Sequence, residues 1–137
     1  MIISQTVPES GMNVAEAGDV TVTNNAGNIT TNSTTWAKLR TARLMLNGTY
    51  RCVFALKRSG GDAGMIAYAV IYRNGKAVGT VRENDTTSGE TFSEDIDGWT
   101  GGDEFHLYGK VSNGAASSFC SDVAVKMDRD PSFGAMS

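Results

Sequence analysis

The side chains that could do chemistry in this sequence are few and poorly grouped. His106 is the single histidine. A histidine acts as a general base when a carboxylate holds it and a nucleophile lies within reach, yet nothing resembling a nucleophile elbow is present. His106 lies in a run, Glu104 to Val111, that alternates as a strand does. Phe105, Leu107 and Val111 fall on one face, and Glu104, His106, Tyr108 and Lys110 fall on the other. The expectation is an exposed strand histidine. Glu94, Asp95 and Asp97, with Asp103 nearby, are of the right type for a glycosidase acid pair or for calcium. They lack the regular ligand spacing of a calcium loop and read as a solvated acidic stretch. Cys52 and Cys120 have no second cysteine or histidine at ligand spacing, so they do not suggest zinc. Cys52 shares parity with Tyr50, Phe54 and Leu56, the inward face of its strand. Cys120 shares parity with Asp122 and Lys126, an outward face, which disfavours a disulfide between the two. The residues therefore predict no enzyme, no cofactor and no metal site. Trp99, beside Gly98, Gly101 and Gly102, is the most informative single residue: it either plugs one end of the fold or offers an interface or sugar-stacking surface.

Charge is unevenly laid out although the net charge is only −3. From Lys38 to Arg58 there are six basic residues and no acid, and from Glu83 to Glu104 eight acids and no base. These stretches are either ordinary solvated faces or surfaces that meet complementary charge on neighbouring subunits, where they would set register and specificity. On the second reading Arg40, Arg43, Arg58, Asp95, Asp97 and Trp99 are the contact candidates. A pI near 5.0 and the absence of aromatic residues among the basic ones argue against nucleic acid. No stretch approaches the length of a membrane span. The opening Met1-Ile2-Ile3-Ser4-Gln5 lacks a secretory pattern, so the expectation is a protein that folds in a cytoplasm.

The elements that would position these residues are strands. Asn-Gly, which tolerates positive φ at both central positions of a type I′ turn, occurs at Asn47-Gly48, Asn74-Gly75 and Asn113-Gly114, each between strand-forming runs. Three hairpins are expected from these. Trp36 to Leu46 carries charge on both parities and predicts a bulge. Tyr50 to Lys57 alternates cleanly. Met65 to Tyr72 is apolar on both faces, as in a central strand covered on two sides or covered by a partner, with Val78 to Arg82 as its hairpin mate. Glu90 to Ser93 is a weak strand, Asp97 to Asp103 a Gly-rich turn, and Phe119 to Met127 a closing strand with Phe119, Val123, Val125 and Met127 inward. About eight strands and no amphipathic helix predict an all-β protein: an antiparallel β-sandwich, with a jelly roll as the specific topology. Residues 1–35, free of Lys and Arg and rich in Asn and Thr, read as an extended N-terminal arm with a first strand near Val20. Residues 36–128 form the sandwich and 129–137 a C-terminal tail. Ile2, Ile3 and Val7 could pair along an exposed edge of another subunit.

The segment Ile71 to Thr80, followed by Ser93 to Trp99 and Gly102 to Tyr108, resembles small tailed-bacteriophage structural proteins of the jelly-roll type. Capsid decoration (cement) proteins and tail or baseplate modules belong to that group. The resemblance covers roughly residues 36–127. It implies a virion component without chemistry of its own, placed on the capsid surface and made in the host cytoplasm. Its partners would be the major capsid protein and further copies of itself, as a homotrimer or homodimer. Such a subunit stabilises the shell by mass action when it binds only the assembled lattice. The alternative is a phage tail or receptor-binding, carbohydrate-binding module, with Trp99, Tyr108 and Tyr72 as stacking candidates.

Overall fold

The computed structural model describes residues 20–127 apart from Ala26, with side chains from residue 27 to residue 126. Ile2, Ile3 and Val7, and the expected C-terminal tail, lie outside the described residues.

Among the described residues ten strands follow one another: β1 (Val20–Asn25), β2 (Ile29–Thr31), β3 (Ala37–Arg43), β4 (Gly48–Gly60), β5 (Ala67–Arg73), β6 (Lys76–Ala77), β7 (Arg82–Asn84), β8 (Glu90–Trp99), β9 (Glu104–Val111) and β10 (Ala116–Met127). They form two antiparallel sheets. One has the order β1-β10-β4-β8, with β2 also on β10; the other has the order β3-β9-β5-β6, with β7 also on β5. Taking β1 with β2, and β6 with β7, as single interrupted strands leaves eight. The first then pairs with the last, the second with the seventh, the third with the sixth and the fourth with the fifth. That nested pairing is a jelly roll. Because β1 and β2 both pair with β10, the stretch from Val20 to Thr31 is part of the sandwich.

Alternation in β4 works as the sequence predicts. Tyr50, Cys52, Phe54 and Leu56 are buried between the sheets, facing Ala67, Ala69, Ile71, Phe105 and Leu107 from the other layer. Burying one such side chain is worth about 1.5–3 kcal/mol, so this double row dominates the stability of the sandwich. The bulge expected in Trp36 to Leu46 is present as a register shift between Lys38 and Arg40.

Two of the three Asn-Gly sites differ from expectation. Asn74 (φ 51°) and Gly75 (φ 84°) close a two-residue hairpin between β5 and β6. Asn47-Gly48 instead carries the chain from β3 in one sheet to β4 in the other, and Asn113-Gly114 carries it from β9 to β10. A dipeptide that permits a turn does not choose which sheet the next strand joins; burial of the inward row does. The mate of β5 is likewise split, with Lys76–Ala77 beside Tyr72 and Arg73 and Arg82–Asn84 beside Ala67 to Ala69. The weak strand expected at Glu90 is the start of a ten-residue one that runs through to Trp99.

The parity of β10 also needs correcting. Its register against β4 slips between Ser121 and Ala124, where Asp122 takes a positive φ of 53°. Before the slip Ala116, Ser118 and Cys120 are buried; after it Val123 and Val125 are. Cys120 is thus inward and Phe119 is turned outward. Both cysteines are free and buried. What separates them is register: Cys120 lies opposite Leu56, four residues along β4 from Cys52.

Candidate functional site

The outer face of the β3-β9-β5 sheet carries most of the aromatic side chains that do not enter the core. Counting outward from the pairing register, Tyr68, Val70 and Tyr72 project from β5 and Glu104, His106, Tyr108 and Lys110 from β9. Lys38, Thr41 and Arg43 project from β3. Directly opposite pairs on this face are Tyr68 with Lys110, Val70 with Tyr108 and Tyr72 with His106 across β5 and β9. Lys38 faces Tyr108 and Thr41 faces His106 across β3 and β9. Trp36, just ahead of β3, completes the group.

These rings pack on one another. Tyr72 and Tyr108 are stacked with centroids 4.1 Å apart and planes 24° from parallel. Such a pair adds about 0.5–1.5 kcal/mol beyond the area it buries. Trp36 meets Tyr68 edge-on at 6.5 Å, and the Lys110 ammonium lies 4.6 Å from the Trp36 ring and 5.3 Å from that of Tyr68. All four rings are half-buried, so each is held by its neighbours and still meets solvent. Among the described residues the hydroxyls of Tyr68, Tyr72 and Tyr108 have no hydrogen-bond partner within the chain.

The backbone beneath is tied to the opposite sheet and to its neighbouring strands. Ser118 Oγ on β10 donates to the Tyr68 carbonyl at 3.2 Å across the sandwich. Gly109 on β9 leaves room for the bulged Leu39; a Cβ there would stand 2.7 Å from the Leu39 Cδ1. At the other end the Asn74 amide ties the β5–β6 turn to β9: Asn74 Oδ1 accepts from the Glu104 N–H at 2.8 Å, and Nδ2 donates to Asp103 at 2.9 Å. Asp103 also accepts from the Thr100 N–H at 2.8 Å. That backbone bond, then the Asn74 bond, holds the Asp103 carboxyl below the usual carboxylate range.

His106 does project from the outer face, but it is only 4% exposed. It lies beside Tyr108, its ring edge-on at 6.0 Å, and its Nε2 is 3.2 Å from Glu104 Oε1. The expectation of an exposed histidine fails because outward on this sheet means under the aromatic layer. The same layer buries Val70 to 1% exposure, which explains why β5 reads as apolar on both faces.

The other candidates are placed elsewhere. Trp99 is 2% exposed, at one end of the core, edge-on to Tyr50 at 6.1 Å with the Arg73 guanidinium 5.4 Å from its ring. Its ring has no free face for a ligand. Arg58 is 8% exposed and donates to the carbonyls of Asp85 and Gly60. Arg40 is half-buried and reaches the Gly27 carbonyl at 3.4 Å. Arg43 pairs with Glu104 at 3.4 Å, Arg51 with Asp95 at 2.7 Å, and Asp97 accepts from Thr49 at 2.7 Å. The basic and acidic stretches therefore meet within the chain, because β3 and β4 lie beside β9 and β8.

A concavity of about 510 Å³ opens away from the Tyr72–Tyr108 stack, at the β7–β8 loop beside Glu83, Asp85 and Glu90. Its central Asn84 is already committed: Nδ2 donates to the Leu56 and Ser88 carbonyls, and Oδ1 accepts from Thr86. It holds a loop in place. Among the described residues no three His, Cys, Asp or Glu side chains gather into a metal-binding group.

Sequence reasoning named Tyr72 and Tyr108 among the stacking candidates but missed Trp36, Tyr68 and Lys110. The signal for Tyr68 was its parity with Tyr72 on β5, and for Lys110 its parity with Tyr108 on β9. Trp36 carried none, since it precedes the strand.

No family model and no curated protein matches the chain. Solved structures do. The EclA C-terminal domain, described as a sugar-binding protein, aligns with a TM-score of 0.56 at 14% identity, over 74% of this chain and 78% of its own. The CBM36-1 domain of a multidomain xylanase from the hindgut metagenome of Trinervitermes trinervoides aligns with a TM-score of 0.57 at 16% identity, over 82% and 89%. The CBM22-1 xylan-binding domain from Paenibacillus barcinonensis aligns with a TM-score of 0.52 at 12% identity, over 84% and 98%. At these identities the likeness establishes a shared β-sandwich fold.

Proposed function

We propose that this chain is a carbohydrate-binding module whose ligand lies across the outer face of the β3-β9-β5 sheet. The observation that carries the reading is the Tyr72–Tyr108 stack on the same sheet face as the Trp36–Tyr68 pair, all four rings being half-buried. A pyranose presents a flat patch of C–H groups flanked by hydroxyls. It is matched by fixed apolar rings bordered by a few polar groups, the general makeup of a small-ligand site. The unpartnered tyrosine hydroxyls and Thr41 supply the polar border. Rings already locked against one another lose little rotamer freedom when a sugar binds, which lowers the ordering cost of association. Among the described residues the outer face of the opposite sheet carries no such layer: around the Arg51–Asp95 pair it presents Val53, Ala55, Ala124 and the half-buried Phe119.

This reading favours the carbohydrate-binding alternative over capsid decoration. The fold part of the phage resemblance stands, whereas the neighbours named above are carbohydrate-binding domains. The charges offered as capsid contacts are partly used within the chain. The proposed role is adhesion to a glycan without chemistry on it.

The test is binding to an immobilised glycan panel, with Tyr72→Ala and Tyr108→Ala as variants. Each is expected to weaken binding at least tenfold while the cooperative thermal transition persists. Trp36 fluorescence should shift on addition of the bound glycan. Retained affinity in both variants would place the ligand elsewhere on the protein.

A further inference from the structure

We infer that the site selects an acidic sugar, a hexuronic acid residue whose carboxylate is received between Lys38 and Lys110; this rests on the carbohydrate-binding reading above. Lys38 lies directly opposite Tyr108 in the β3–β9 pairing, and Lys110 follows Tyr108 by two residues on the same face. The two residues are thus diagonal neighbours, with backbones about 7–8 Å apart across adjacent strands and Tyr108 at their corner.

Among the described residues neither lysine has an ion-pair partner. The ion pairs among the described residues are Arg43–Glu104, Arg51–Asp95, Arg82–Glu94 and His106–Glu104. Lys110 rests against Trp36 and Tyr68 instead, which fixes its ammonium over those two rings, on the same sheet face as the tyrosine stack. Of the acids on this face, Glu104 is engaged by Arg43 and His106. Glu83 lies beyond Tyr68, on the side away from Lys110. The border of Tyr108 is therefore locally cationic on a chain whose net charge is −3.

That local sign decides the ligand class. A neutral hexose stacked on Tyr108 would leave both ammonium groups facing only its hydroxyls. A hexuronate carries its carboxylate directly on the ring, at the edge of the stacked sugar, where an ammonium beside the tyrosine can reach it. The negative chain as a whole has no general attraction for polyanions, so uronate binding would report this pair and not bulk charge.

Affinity electrophoresis through gels containing polygalacturonate, its fully methyl-esterified form, alginate, neutral xylan or hydroxyethylcellulose tests the inference. The methyl ester keeps the sugar and removes the charge. The expected result is retardation by at least one uronate gel, weaker by tenfold or more in the ester and the neutral gels. Lys38→Gln and Lys110→Gln should each weaken uronate binding on the order of fivefold, the scale of one partly exposed ion pair. Raising the salt should weaken it further. Lys38 is exposed, so its variant should leave the melting temperature unchanged. Equal retardation in neutral and uronate gels, or full uronate affinity in Lys38→Gln, overturns the acid preference and leaves the carbohydrate-binding reading intact. Retardation in none of the gels, together with no binding on the glycan panel, overturns both.

Discussion

At the scale of single residues, side chains that look alike in the sequence separate by what lies around them. Trp99 and Trp36 are the two tryptophans; one is packed against Tyr50 and the other sits at the rim of an open face. Trp99→Ala should therefore cost about 3–5 kcal/mol in chemical denaturation, since it empties a buried site. Trp36→Ala should act mainly on glycan affinity. A Trp99→Ala protein as stable as the parent would show the ring to be peripheral after all. Asp103 illustrates a charge effect. Its folded-state acidity is strengthened by the Thr100 N–H and then the Asn74 amide. A depressed carboxyl contributes stability that is complete above the unfolded carboxylate range and is lost as pH falls through the lower folded value. Melting temperature against pH should accordingly decline on the acid side. Asp103→Asn should lower the neutral plateau and flatten that decline, and an unchanged pH profile in the variant would remove Asp103 as a cause.

At the scale of elements, irregularities do the positioning. The β3 bulge between Lys38 and Arg40 lets Leu39 reach the core over Gly109, while Lys38 stays on the outer face opposite Tyr108. Gly109→Ala would push a methyl group into Leu39 and should cost about 1–3 kcal/mol, as overpacking does. Because the tightest contact is with the Leu39 side chain, with Ser118 Oγ and the Tyr68 carbonyl farther off at 3.3 Å, Gly109→Ala with Leu39→Ala should cost less than the two single changes added together, a coupling that a double-mutant cycle measures. The β10 bulge at Asp122 performs a comparable task by flipping the inward row, which puts Cys120 and Val123 on one face. Neither consequence was legible residue by residue. The mixed charge of Trp36 to Leu46 did announce the first bulge, whereas nothing in Phe119 to Met127 announced the second.

At the scale of the whole molecule, the jelly roll closes two sheets over a row of apolar side chains, and both cysteines belong to that row. Burial pushes each thiol up to about 12, with Glu94 and Asp95 adding to the effect at Cys52. A thiol reagent should thus label neither Cys52 nor Cys120 in the folded protein at pH 8, and both on unfolding. Labelling at the native rate of a free thiol would contradict the packing. The sequence by itself determined the class of this fold. Period-two alternation in Tyr50 to Leu56 and Glu104 to Val111 requires strands with one buried face, and Asn74-Gly75 requires a tight hairpin, because these follow from local backbone geometry. It also placed Tyr72 and Tyr108 among the candidates for stacking on a ligand. Only the tertiary structure decided which sheet each strand joins, that Asn47-Gly48 and Asn113-Gly114 are corners between sheets, and that Trp36, Tyr68, Tyr72, Tyr108, Lys38 and Lys110 share one surface. The physical reason is that these facts depend on pairings between strands far apart in the chain, chosen by burying the inward rows together, and no local pattern encodes that choice.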